Sequence, residues 1–126
     1  MKFFTLLLLI LPIHLFSQQV IFCEKVDRTG NPQNASKEFT IGNDGGFIKI
    51  LVRLNKKVES HVAVFDVYRM KDGKETFDNS LSMEVYPVLT WFYKEITFYK
   101  EGNFRVYVYN ERDKLLGIGE VKINLR

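Results

Sequence analysis

The chain has 126 residues, of which 46% are hydrophobic and 14% aromatic, and its formal net charge is +3. A charge this small, spread along the chain, does not call for nucleic acid or an anionic membrane surface as partner. The single cysteine, Cys23, excludes an intramolecular disulfide, so the core must hold the fold together.

The first element in the chain is an apolar run. Lys2 precedes Phe3 to Phe16, broken only by Thr5 and His14, and polar Ser17-Gln18-Gln19 follows. A charged tip before a greasy core is the layout of a secretory signal. The run is shorter than the roughly 20 apolar residues of a membrane helix. Residues 1–17 are therefore expected to be a signal peptide. Residues 18–126 are expected to be one exported domain, periplasmic or extracellular, with no integral membrane segment after cleavage. A domain of that size can bury its own core.

The rest reads as strands. Gln19 to Lys25 is a short strand candidate, and Val26 to Ser36 is rich in turn residues, with Gly30, Asn31 and Pro32 as breakers. Lys37 to Ile41 is a second short strand, ended by the Gly42–Gly46 break. In Phe47 to Leu54, Ile48, Ile50, Val52 and Leu54 share one face, with Lys49 and Arg53 on the other. That period of two is the pattern of a half-buried strand. His61 to Met70 is apolar on both faces in part, which predicts a central strand. Asp72-Gly73 predicts a hairpin to Lys74–Phe77. Leu81 to Val88 is a separate strand with Pro87 near its end.

Trp91 to Tyr99 is dense in aromatics on both faces, so its inward face is not legible. Phe104, Val106 and Val108 oppose Arg105, Tyr107 and Tyr109 across the following strand. In Leu115 to Leu125, Val121, Ile123 and Leu125 share a face. No segment carries a long helical stripe. The pattern predicts an all-β chain: an immunoglobulin-like, two-sheet antiparallel β-sandwich of seven or eight strands. A small closed barrel is the rival.

The strand pattern resembles immunoglobulin-like and fibronectin-III-like domains. Trp91-Phe92-Tyr93, Thr97-Phe98-Tyr99, Gly102-Asn103-Phe104, Val106 to Asn110 and Leu116 to Gly119 look like the closing strands of small exported sandwich proteins of Bacteroidetes-type bacteria. Phe22 to Asp27, followed by Gly30-Asn31-Pro32, is similar to their opening strand and loop. The resemblance implies a sandwich and transfers no chemistry. The chain departs from the immunoglobulin pattern in lacking a second cysteine and in placing its one tryptophan late.

Candidate chemistry is sparse. A nucleophile and base would have to be Cys23 and His61, without an orienting acid on the same face, since Asp66 has the opposite parity to His61. Asp27 with Asn31, Asn43-Asp44, and Asp72, Glu75 and Asp78 are oxygen-rich, but none has the spacing of a calcium loop. The expectation is no enzyme, no cofactor and no metal. Eight of the 19 residues from Trp91 to Tyr109 are aromatic. Tyr93, Tyr99, Tyr107 and Tyr109 are expected to form one binding surface, with the first two across from the last two on a neighbouring strand. The function read from this is a non-catalytic binding module for a protein or glycan. The alternatives are an envelope assembly component pairing through an edge strand, such as Gln19 to Lys25, and a small hydrolase or inhibitor.

Overall fold

The structure, a computed structural model, describes residues 19–126. The signal peptide expected over residues 1–17 lies outside them. The described chain is all-β, with ten strands in chain order: β1 (Gln19–Cys23), β2 (Lys25–Val26), β3 (Pro32–Gln33), β4 (Glu38–Ile41), β5 (Gly46–Arg53), β6 (Val62–Lys71), β7 (Lys74–Glu84), β8 (Trp91–Phe98), β9 (Gly102–Asn110) and β10 (Leu115–Leu125).

Eight of these build the two facing sheets of a sandwich. One sheet has the order β1-β5-β8 and the other β4-β10-β9-β6-β7; β2 and β3 form a separate two-residue ladder. All pairings are antiparallel except that of β10 with β4, where Lys122 lies against Glu38 and Leu125 against Ile41.

Strand parity explains the core. Ile48, Ile50 and Val52 point inward from β5 and meet Phe65 and Val67 of β6, Val106 and Val108 of β9, and Val121 and Ile123 of β10, all buried. β8 turns Phe92, Ile96 and Phe98 to the core, which resolves the face that its aromatics left open. Phe65 meets Phe92 edge to face at 6.2 Å, and Phe98 meets Phe104 at 4.8 Å, so rings from both sheets interlock.

The separate strands expected at Lys74–Phe77 and Leu81–Val88 are one strand, β7, that ends at Glu84. Asp78-Asn79-Ser80 reads as a turn, yet pairing with β6 continues through it by a bulge: Val67 faces Asn79 and Tyr68 faces Phe77, leaving Asp78 as the extra residue.

Two close approaches shape one side of the sandwich. A Cβ on Gly117 would come within 2.8 Å of Val20, and one on Gly119 within 2.7 Å of Val20 and 2.9 Å of Phe22. The glycines let β1 lie directly on β10. On the outer face of the three-stranded sheet, the segment from Glu24 to Ser36 folds over the strands. Leu51 and Cys23 are fully buried beneath it despite their outward parity. Gly30, at φ +84°, sits against the Trp91 indole, where a Cβ would come within 2.7 Å of the ring.

Phe65 has no exposed surface and touches the opposite sheet. Phe65→Ala is expected to destabilise the fold by about 3–5 kcal/mol, read from the denaturant midpoint at unchanged m-value. Phe77→Ala, at a ring 57% exposed, is expected to shift the midpoint far less.

Candidate functional site

The four tyrosines do not form one surface. Tyr107 and Tyr109 project from β9 onto the outer face of the five-stranded sheet, as their shared parity requires. Tyr93 belongs to β8 and Tyr99 follows it, and β8 is in the other sheet. Tyr93 and Tyr99 are exposed on the far side of the sandwich, at 39% and 68%. The expected cross-strand pairing of β8 with β9 fails because β8 pairs with β5 and β9 with β6 and β10.

What surrounds Tyr107 and Tyr109 is a different set. Their rings stack at 6.4 Å with 17° between planes. Tyr68 of β6 stands edge-on to Tyr107 at 5.4 Å and to Phe77 of β7 at 5.6 Å. The Tyr107 hydroxyl donates to the Glu75 carboxylate. Arg105 bridges two acids, reaching Glu75 at 2.9 Å and Glu120 at 2.8 Å. Asp66 lies opposite Tyr107 in the β6–β9 register and accepts a 2.6 Å hydrogen bond from Ser80. The hydrogen bond from Tyr107, with Arg105 beside it, holds the Glu75 carboxyl below its ordinary value of 4.5. Partial burial raises the Tyr109 phenol, and the Asp66 charge adds to the effect.

A second site is concave. β10 pairs with β4 only from Lys122 onward, so its Ile118–Glu120 stretch is a free sheet edge beside the free edge of β1. Between them runs a groove of about 610 Å³, walled by Val20, Ile21, Phe22, Ala35, Ile118 and Gly119, with Ser36, Lys37 and Glu120 at its rim. Ser36 donates its amide to the Phe22 carbonyl at 3.0 Å and closes one end. A shallower depression shares Lys37 and Glu120 and extends to Asn103 and Lys122. Glu120 is held by Arg105. Among the described residues, neither Lys37 nor Lys122 has a carboxylate within ion-pair distance. Lys37 therefore sets an unpaired ammonium at the rim of apolar walls, and the volume is in the usual range of small-molecule sites.

The remaining sequence candidates are satisfied by their own surroundings. Asp27 accepts from the Thr29 amide at 2.8 Å, the Thr29 hydroxyl at 2.8 Å and the Asn31 amide at 2.9 Å, which holds its carboxyl low. Its oxygens serve an Asx turn rather than a cation. His61 lies at the surface immediately before β6 and gives its amide to Glu111. Cys23 is buried in the other sheet, and the two residues form no nucleophile–base pair. Burial pushes the Cys23 thiol up.

No family model matches the chain, and no curated protein matches it. Among solved structures it is similar to the Superoxide reductase (Neelaredoxin) from Ignicoccus hospitalis. The identity is 11%, the match covers 85% of this chain and 79% of that one, and the TM-score is 0.44. A likeness of that size carries no chemistry across. The expectation of a non-catalytic binding module is corrected on the geometry, because the tyrosine set on which it rested is divided between the two sheets. The non-catalytic module, with its protein or glycan partner, is given up.

Two outcomes follow from the geometry. Tyr107→Phe removes the leading cause of the Glu75 shift, so the Glu75 midpoint is expected to rise toward 4.5 in a carboxyl-carbon NMR titration. In the unaltered protein, ionised Glu75 favours the folded state at neutral pH. That contribution is lost as pH falls through its lowered midpoint. For Cys23, a thiol alkylating reagent at mildly alkaline pH is expected to leave the native protein unlabelled and to label it fully in denaturant. Rapid native labelling would contradict the burial.

Proposed function

We propose that this is an exported, immunoglobulin-like sandwich protein that holds a single-chain anionic amphiphile, of the fatty-acid kind, in the groove between β1 and β10. The observation that carries this is the pairing of apolar walls with Lys37 at the rim, a lysine with no ion-pair partner among the described residues. An alkyl chain laid along Val20, Phe22 and Ile118 would lose apolar surface to water at about 25 cal/mol per Å². The Lys37 ammonium would face the carboxylate head. Gly119 lets Val20 and Phe22 pack directly on β10, which sets these two side chains in place as part of the apolar wall. The apolar run before Ser17 supports export.

The test is calorimetric titration with decanoate, with decan-1-ol as the neutral control, and amide shifts followed at Val20, Ile118 and Gly119. Decanoate is expected to bind, shift these amides and bind more tightly than the alcohol. Lys37→Glu is expected to weaken decanoate by about threefold to fivefold and leave the alcohol unchanged. Ile118 is 48% exposed, so Ile118→Asp should fold and bind about tenfold more weakly. Equal affinity for acid and alcohol, or amide shifts elsewhere, would sink the proposal.

A further inference from the structure

We propose that the outer face of the five-stranded sheet carries a second site, for a small organic cation of the quaternary-ammonium kind, with Asp66 as counter-ion and Tyr68, Tyr107 and Tyr109 as its aromatic walls. The site is on different residues from the groove and uses the opposite charge.

Three of its features point to a cation. The first is the charge balance. Of the acids on this face, Glu75 and Glu120 are both taken by Arg105. Among the described residues Asp66 has no ion-pair partner, and its one side-chain hydrogen bond, from Ser80, is neutral. The second is the ring geometry. Tyr107 and Tyr109 present near-parallel planes, Tyr68 stands at 85° to Tyr107, and Asp66 lies opposite Tyr107 in the register, so the carboxylate and the three rings share one patch of the outer face. The electron-rich face of a phenol ring attracts a cation within about 6 Å of its centroid, worth about 0.5–2 kcal/mol.

The third is that the rings are held. Glu75 accepts from the Tyr107 hydroxyl, and Arg105 in turn fixes Glu75. Phe77 backs Tyr68 edge-on at 5.6 Å. Ordering these side chains on binding would therefore cost little, which is what a weak, small ligand requires. Burial and the Asp66 charge together keep the Tyr109 phenol protonated above its ordinary value. The wall thus stays neutral and leaves the negative charge on Asp66.

The experiment uses choline and its neutral isostere 3,3-dimethylbutan-1-ol, in which carbon replaces the charged nitrogen. Ring resonances of Tyr68, Tyr107 and Tyr109 are followed by carbon–proton NMR. Choline is expected to shift all three saturably, and the alcohol to bind about tenfold more weakly or worse. Asp66→Asn keeps the Ser80 hydrogen bond and removes only the charge. It is expected to weaken choline by about tenfold and to leave the alcohol unchanged. Tyr109→Leu, which keeps an apolar side chain, should weaken choline more than the alcohol. Equal binding of the two ligands, unchanged choline affinity in Asp66→Asn, or no shift of these rings at millimolar choline would each overturn the assignment.

Discussion

The contact between the two sheets is made by interlocking rings and branched chains, with no covalent tie behind it. Phe65 reaches from β6 to Phe92 on β8, and Phe98 on β8 reaches to Phe104 on β9. Cys23 is a free thiol, so this burial sets the spacing of the sheets. Large inward rings hold facing sheets about 10 Å apart. Where Gly117 and Gly119 replace side chains, β1 closes onto β10. The sandwich is thus pinched along one side, and the groove runs along that pinched side between the free edges of β1 and β10.

The same constraint governs what each outer face can present. The narrower sheet has its outer face partly covered by the Glu24–Ser36 segment, which buries Leu51 and Cys23 and braces Trp91. The wider sheet keeps its outer face open over β9, β6 and β7. There the strand parity that drives Val106 and Val108 inward turns Arg105, Tyr107 and Tyr109 outward in a row. The core and the open face are two readings of one alternation. A register slip of one residue would exchange them.

Much of this was legible in the sequence, because the alternation is local. The inward sets Ile48, Ile50, Val52 and Phe104, Val106, Val108 follow from period two alone, as does the shared face of Tyr107 and Tyr109. The central position of β6 followed from its two partly apolar faces. The neighbours of each strand were not legible, since register carries no mark in the chain itself. Parity alone therefore joins Tyr93 and Tyr99 to tyrosines that belong to another sheet. Asp78-Asn79-Ser80 misled for a related reason: turn-forming residues were held in a strand by pairing with β6. The groove draws on Val20, Lys37 and Ile118, three distant segments that no short window joins. Its one local trace was the pair of glycines two residues apart at Gly117 and Gly119. Parity marks Asp66 only as a poor partner for His61, and its place among the tyrosines depends on the β6–β9 register.

The parallel ladder between β4 and β10 sets an order of events for a chain made from its N-terminus. β10 lies between β4 and β9, inside the five-stranded sheet, yet it comes last of the ten strands. Until it arrives, β4 has no partner in that sheet, β9 lacks one flank, and the smooth surface that receives Val20 and Phe22 does not exist. Contacts between residues so far apart in the chain form slowly, because the loops they close are long. A nascent chain lacking β10 would therefore stay loose along the β1 side, and that side would close only once β10 had been made.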